Sequence, residues 1–131
     1  MFKLVKILNS GVNTPEPVHL PKDVGVSLEF GSAVKLSGGK IVAAGAADTP
    51  THIVAEKDAS GDKILVFEIS HDMIFETVVT EDPDELLVGD AVTLEIAEGS
   101  AIAVSATEGG KATVYDLTGC HEIGDSILVR F

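Results

Sequence analysis

Aromatic residues and cysteines are scarce in this chain. Tryptophan is absent, tyrosine occurs once, and aromatic residues make up 5% of the sequence. The core must therefore be built from valine, isoleucine, leucine and alanine, and together with 13 glycines this composition favours strands and turns. Because Cys120 is the only cysteine, an intramolecular disulfide is excluded, and folding needs no oxidising compartment.

Positive charge is also scarce. Nine basic residues stand against 21 acidic ones, for a formal net charge of -12. Affinity for nucleic acid and for anionic membranes comes largely from lysine and arginine, so we expect neither as a partner. Lys3 and Lys6 interrupt the apolar N-terminal decapeptide MFKLVKILNS, unlike a signal peptide, and no apolar run has the length of a membrane span. We therefore expect a protein made and folded in the cytosol.

No group of residues has the spacing that catalysis or metal binding requires. His71 is next to Asp72, and Cys120, His121 and Glu122 are consecutive. Because consecutive side chains in a strand point to opposite faces, neither group can converge on one site. The acidic run from Thr80 to Glu85 lacks the alternating order of a calcium loop. The sequence predicts no catalytic residue, cofactor or metal, although a metal site assembled only by the fold stays open. The histidines that could supply ligands to such a site are His19, His52, His71 and His121.

Residues 1–23 are rich in proline. Three prolines fall between positions 15 and 21, which excludes a helix and disfavours a central strand. The stretch NTPEPVHLP is predicted to be an extended, polyproline-like N-terminal arm, and its two apolar side chains would need a covering surface. The candidate partner-contact residues are Pro15, Pro17, Val18 and Leu20.

The chain from Val24 to Phe131 alternates short apolar runs with glycines. Ten runs of four to seven residues, from VGVSLEF to SILVRF, have the length of strands. We therefore predict a single all-β domain at 24–131, with a barrel-like or β-sandwich architecture. The stretch EDPDELLVGD is too short for more than a turn.

The same motifs occur twice in this domain, in the same order. GSAVKL at Gly31 matches GDAVTL at Gly89, KIVAA matches AIAVSA, and GDKILVF at Gly61 matches GDSILVR at Gly124. We predict two pseudo-repeated halves, 24–69 and 87–131, joined by a linking strand within 70–86 that contains SHDMIFETVV. Each half is too small to fold alone, so the two would share a core.

The order of these motifs resembles that of the capsid decoration, or head-stabilising, proteins of tailed phages and prophages. The likeness rests on VKILNSGVNTPEPVHLP, GSAVKLSGGKIVA, GDKILVFEI, MIFETVVTEDPDELLVGDAVTL, GGKATVYDL and GDSILVRF. The resemblance implies a structural protein on the outer surface of the virion head, bound to the major capsid protein as a homo-oligomer, often a trimer. It implies no catalytic residues.

A different class of function is the alternative. A monomeric β-barrel adaptor, or a ligand- or carbohydrate-binding module of the phage or its host, would have the same fold class. Carbohydrate sites present exposed aromatic rings, whereas Phe30, Phe67, Phe75 and Phe131 lie in strand patterns that we expect to bury them. An enzyme would need a site assembled from residues distant in sequence.

Overall fold

The computed structural model describes residues 1–8, 14–57, 61–97 and 99–131, and all of its regular elements are β-strands. In those ranges no helix is long and apolar enough to cross a membrane. The strands are β1 (Lys3–Ile7), β2 (Val18–Pro21), β3 (Ala33–Ser37), β4 (Lys40–Ala43), β5 (His52–Val54), β6 (Lys63–Glu68), β7 (Met73–Val78), β8 (Ala91–Ala97), β9 (Ser100–Glu108), β10 (Ala112–Asp116) and β11 (Ser126–Arg130).

All eleven strands belong to one antiparallel sheet. Its order is β1-β7-β11-β10-β8-β9-β3-β5-β6-β2, with β4 paired to β3 off this path. The sheet does not close, because β1 and β2 are its two ends. The predicted all-β, barrel-like or sandwich class is confirmed. The run VGVSLEF is not a strand, since its neighbourhood is held by turn bonds from Val26 N to Asp23 O and from Ser32 N to Glu29 O.

The two predicted halves pair their strands in the same order. In the first half β3 pairs with β4 and β5, and β5 pairs with β6. In the second half β8 pairs with β9 and β10, and β10 pairs with β11. Gly31 N donates to Val54 O, and Gly89 N donates to Val114 O, both at 2.9 Å. That the halves are copies of one unit stays a prediction.

Three neighbouring strands of the sheet have apolar side chains packed on both faces. Successive residues of β3, β5 and β6 enter two different apolar clusters, because side chains alternate along a strand. Val34, Val54 and Val66 belong to a smaller cluster with Leu28, Ile41 and Ile64. The other face of each strand packs against a larger cluster, which contains the core residues of β7, β8, β10 and β11. The residues of β3, β5 and β6 in this larger cluster are Ala33, Ile53 and Phe67.

The region predicted as an arm contributes the two end strands of the sheet. β1 pairs with β7, and β2 pairs with β6 from Val18 opposite Val66 to Pro21 opposite Lys63. Residues 9–13, within NTPEPVHLP and its lead-in, lie outside the described residues. Proline has no N–H to donate to a sheet ladder and is therefore tolerated in an end strand such as β2. The separation of 1–23 from 24–131 stays a prediction.

The segment 70–86 contains a strand, β7, which lies between β1 and β11. The stretch EDPDELLVGD forms turns, as expected from its length. Leu86 N donates to Pro83 O at 2.9 Å, and Asp90 N donates to Leu87 O at 3.0 Å.

Gly110 is a position where backbone crowding requires glycine. A Cβ built there would overlap the carbonyl group of Val92 and the backbone nitrogen of Thr93. We predict that Gly110→Ala lowers the free energy of unfolding by about 2–3 kcal/mol, because rigid backbone must move. Gly61→Ala is the matched control, since a Cβ there meets open space. Equal urea midpoints for the two variants would contradict this packing.

His52 links stability to pH. Burial lowers the pKa of His52 below its ordinary 6.5, against the opposite effect of Glu68. The unfolded chain therefore binds a proton at a higher pH than the folded chain, and the stability present above about pH 6.5 falls on acidification. We predict that His52→Gln flattens this loss in unfolding curves between about pH 7.5 and 5.5. His19→Gln, at an exposed site on β2, should keep the wild-type slope.

Candidate binding groove

An apolar groove of about 400 Å³ opens where the sheet fails to close. It is lined both by β1, at one end of the sheet, and by the chain that leads into β2, at the other end. Further lining comes from the central strand β5, the end of β6 and the turn before β3. The residues that define it are Phe2, Lys3, Leu4, Thr14, Pro15, Pro17, Phe30, Gly31, Ile53, Val54, Ala55 and Phe67.

Two walls of the groove are fixed by an aromatic chain through the larger core cluster. The ring of Phe67 stacks on Phe75 at 6.2 Å between centroids, and Phe75 contacts Phe131 at 5.5 Å. Phe131 in turn packs edge-on against Phe2 at 5.3 Å. Because Phe2 and Phe75 are almost completely buried, Phe2 and Phe67 cannot move without disturbing the core. The groove is therefore formed before anything binds to it.

Phe30 is a groove residue whose predicted burial is wrong. We expected it to be buried in a strand, but its side chain is 51% exposed. The turn bond from Ser32 N to Glu29 O and the positive φ of Gly31, 77°, end the extended chain and leave the ring outside both clusters. The glycine that follows it is the sequence signal that could have located this turn.

The four predicted contact residues lie in two different settings. Pro15 and Pro17 both line the groove. Val18 is 46% exposed on the end strand β2, whereas Leu20 is half-buried and packs against the smaller cluster beside Ile64. The structure thus brings the two prolines together at one surface and packs Leu20 against the edge of the smaller cluster. That any of the four contacts a partner stays a prediction.

Charge is distributed unevenly around the groove. Lys3 is the only charged side chain among its described lining residues, and Lys6 on the same strand is exposed. A separate cleft of about 500 Å³ is acidic, lined by Asp82, Asp84, Glu85, Asp90 and Glu108 among others. Within the described ranges no group of three or more histidine, cysteine or acidic side chains has an arrangement that could hold a metal ion.

The segment around Cys120 is a capped turn. Burial and the nearby Asp125 carboxylate raise the pKa of the Cys120 thiol, which disfavours the thiolate form needed of a nucleophile. Asp125 accepts hydrogen bonds from the backbone N–H groups of His121 and Glu122, at 2.9 and 3.1 Å, and these bonds lower the pKa of its carboxyl. The Asp125 carboxylate therefore serves to cap the backbone N–H groups of this turn.

Comparison with known proteins identifies no family for this chain. No protein-family model and no curated protein matches this chain. The likeness to capsid decoration proteins accordingly stays a resemblance in the order of sequence motifs.

Substitutions in β2 separate a core role from a surface role. We predict that Leu20→Ser lowers the free energy of unfolding by about 1–2 kcal/mol, because Leu20 loses apolar contacts with the smaller cluster. Val18→Ser should change it by less than about 0.5 kcal/mol, since Val18 faces solvent. Urea unfolding measures both. Equal losses in the two variants would show that Val18 is packed as closely as Leu20.

Proposed function

We propose that this chain is a structural head protein that binds the outer surface of a tailed-phage capsid as a homo-oligomer and stabilises the shell without catalysis. The observation that carries the proposal is the open, preformed apolar groove lined by Pro15 and Pro17, two of the predicted contact residues. Exposure of apolar surface to water is unfavourable, so the free energy falls when a protein surface covers the groove.

The make-up of the groove favours a protein contact over a reaction. Active sites combine an apolar cavity with several convergent polar groups. Here Lys3 is the one charged side chain among the described lining residues, and the remaining lining is apolar apart from Thr14 and backbone. An apolar groove of this size can receive an apolar side chain of another polypeptide.

The capsid is the proposed partner because of the motif order in the sequence. A filled phage head presents many identical subunits, so weak contacts repeated over the shell add through multivalency. Val18, exposed on the end strand β2 next to the groove segment, is a second contact point that costs no core packing. The protein would be made in the bacterial cytoplasm and would act at the virion head surface, with the major capsid protein as its partner.

Phe30 favours one alternative function. A half-exposed aromatic ring at the rim of a groove is the kind of surface on which a sugar ring stacks. A monomeric adaptor or carbohydrate-binding module would use this ring alone, without a second copy of the chain.

Co-sedimentation tests the proposal. The full chain is mixed with expanded, undecorated heads assembled from the major capsid protein of the same gene cluster, and pelleted protein is quantified. We predict saturable binding that Val18→Asp weakens about tenfold or more, because a carboxylate would be buried at the contact. Val78→Asp, on an equally exposed strand position, is the control and should bind as the wild type does.

Two results would count against the proposal. Absence of the wild-type chain from the head pellet would exclude capsid binding. Binding of soluble oligosaccharide by a monomeric chain, abolished by Phe30→Ala, would support the carbohydrate-binding alternative instead.

A further inference from the structure

The last strand at one end of the sheet, β2, has an edge that faces away from its partner β6. Lys22 N donates to Asp62 O on the β6 side at 2.8 Å, in the antiparallel register of the two strands. Backbone groups alternate between the two sides of a strand, so Val18 and Leu20 also direct their N–H and C=O groups to β6. His19 directs its own backbone groups away from β6. We call this side of β2 the open edge.

Proline occupies the open edge. Pro21 lies two residues after His19 and therefore has the same outward backbone orientation, and Pro17 directly precedes the strand. Proline has no N–H, so of these three residues only His19 can donate a hydrogen bond to a further strand. A strand that paired here would leave carbonyl groups of its own without a donor, which is costly once water is excluded.

The corresponding edge elsewhere in the sheet carries a strand. β7 pairs with β11 as β2 pairs with β6, and a parallel bridge follows each: Val79 with Val104 after β7, and Lys22 with Ile41 after β2. β7 contains no proline, and its side away from β11 is paired with β1. Of two edges with the same setting, the one without proline is covered by a strand, and the one with proline ends the sheet.

The other end of the sheet is protected by different features. β1 has a bulge between Leu4 and Lys6, and the side chains of Lys3 and Lys6 are exposed. A bulge interrupts the ladder that a new strand would have to follow, and edge lysines bring charge to the contact. Both ends of the open sheet therefore have features that oppose strand pairing between molecules.

We infer that Pro17 and Pro21 keep the open edge of β2 from accepting a strand of another copy, so that the sheet does not extend from one molecule to the next. An unprotected sheet end is a template for such pairing. The device acts through the backbone and leaves the side chain of Val18 exposed for other contacts. It does not depend on the proposed function.

Restoring the missing donors tests the inference. The double variant Pro17→Thr/Pro21→Thr adds two N–H groups at exposed positions, so folding should be retained. We predict that it self-associates about tenfold or more tightly than the wild type in sedimentation equilibrium, because new backbone bonds form between copies. Pro15→Thr is the matched control: it lies before the strand and should keep the wild-type mass.

A third substitution asks whether the new association uses the open edge. His19→Pro, added to the double variant, removes the N–H at position 19 without breaking a bond to β6, and it should weaken association towards the wild-type value. His19→Gln in the same background keeps that N–H and should leave association strong.

Amide hydrogen exchange supplies a second readout. In the wild-type chain the His19 amide should exchange much faster than the Leu20 amide, which is directed to β6. In the associated double variant the His19 amide should become protected, because it then lies between two strands.

Three outcomes would overturn the inference. Equal association of the double variant and the wild type would show that the prolines do not guard the edge. Association that survives His19→Pro would place the contact elsewhere on the molecule. A His19 amide as protected as that of Leu20 in the wild type would show that the edge is already paired. Co-sedimentation with heads decides the proposed function separately in each case.

Discussion

Burial of β3, β5 and β6 on both faces is the constraint on which the rest of this structure depends. Ala33, Ile53 and Phe67 face the larger cluster, while their neighbours in the same strands face the smaller one. Each strand therefore has two successive apolar residues, Ala33–Val34, Ile53–Val54 and Val66–Phe67, because side chains alternate between the two faces of a strand. Both clusters therefore depend on the same three strands. Loss of packing in either cluster would expose one face of these strands to water.

The sheet is also open. Its end strands are β1 and β2, and the residues of β1 and the chain leading into β2 line one apolar groove. The aromatic contacts from Phe67 through Phe75 and Phe131 to Phe2 join the core to that groove. Packing in the interior therefore sets the shape of the surface on which the proposed function depends.

Much of the fold could be predicted from local pattern, and the groove could not. Apolar runs between glycines predicted strands, and proline spacing predicted that Val18–Pro21 would not be a central strand, because both signals act within a few residues. Strand order, the exposure of Phe30 and the different settings of Val18 and Leu20 depend on residues distant in sequence. Pro15 and Pro17 were predicted as partner contacts from the proline spacing, and that role stays a prediction; the rings that complete their groove come from three other parts of the chain.

Hydroxyl-radical footprinting of the free and the head-bound protein tests most directly whether the groove is a protein contact surface. The account predicts that oxidation of Phe30 and of the Pro15–Pro17 segment falls several-fold on assembly, because another polypeptide covers them. Val24, 77% exposed and not part of the groove, serves as the internal reference and should be oxidised equally in both states. Unchanged oxidation of Phe30 and the prolines, in protein shown to be bound to heads, would contradict the account.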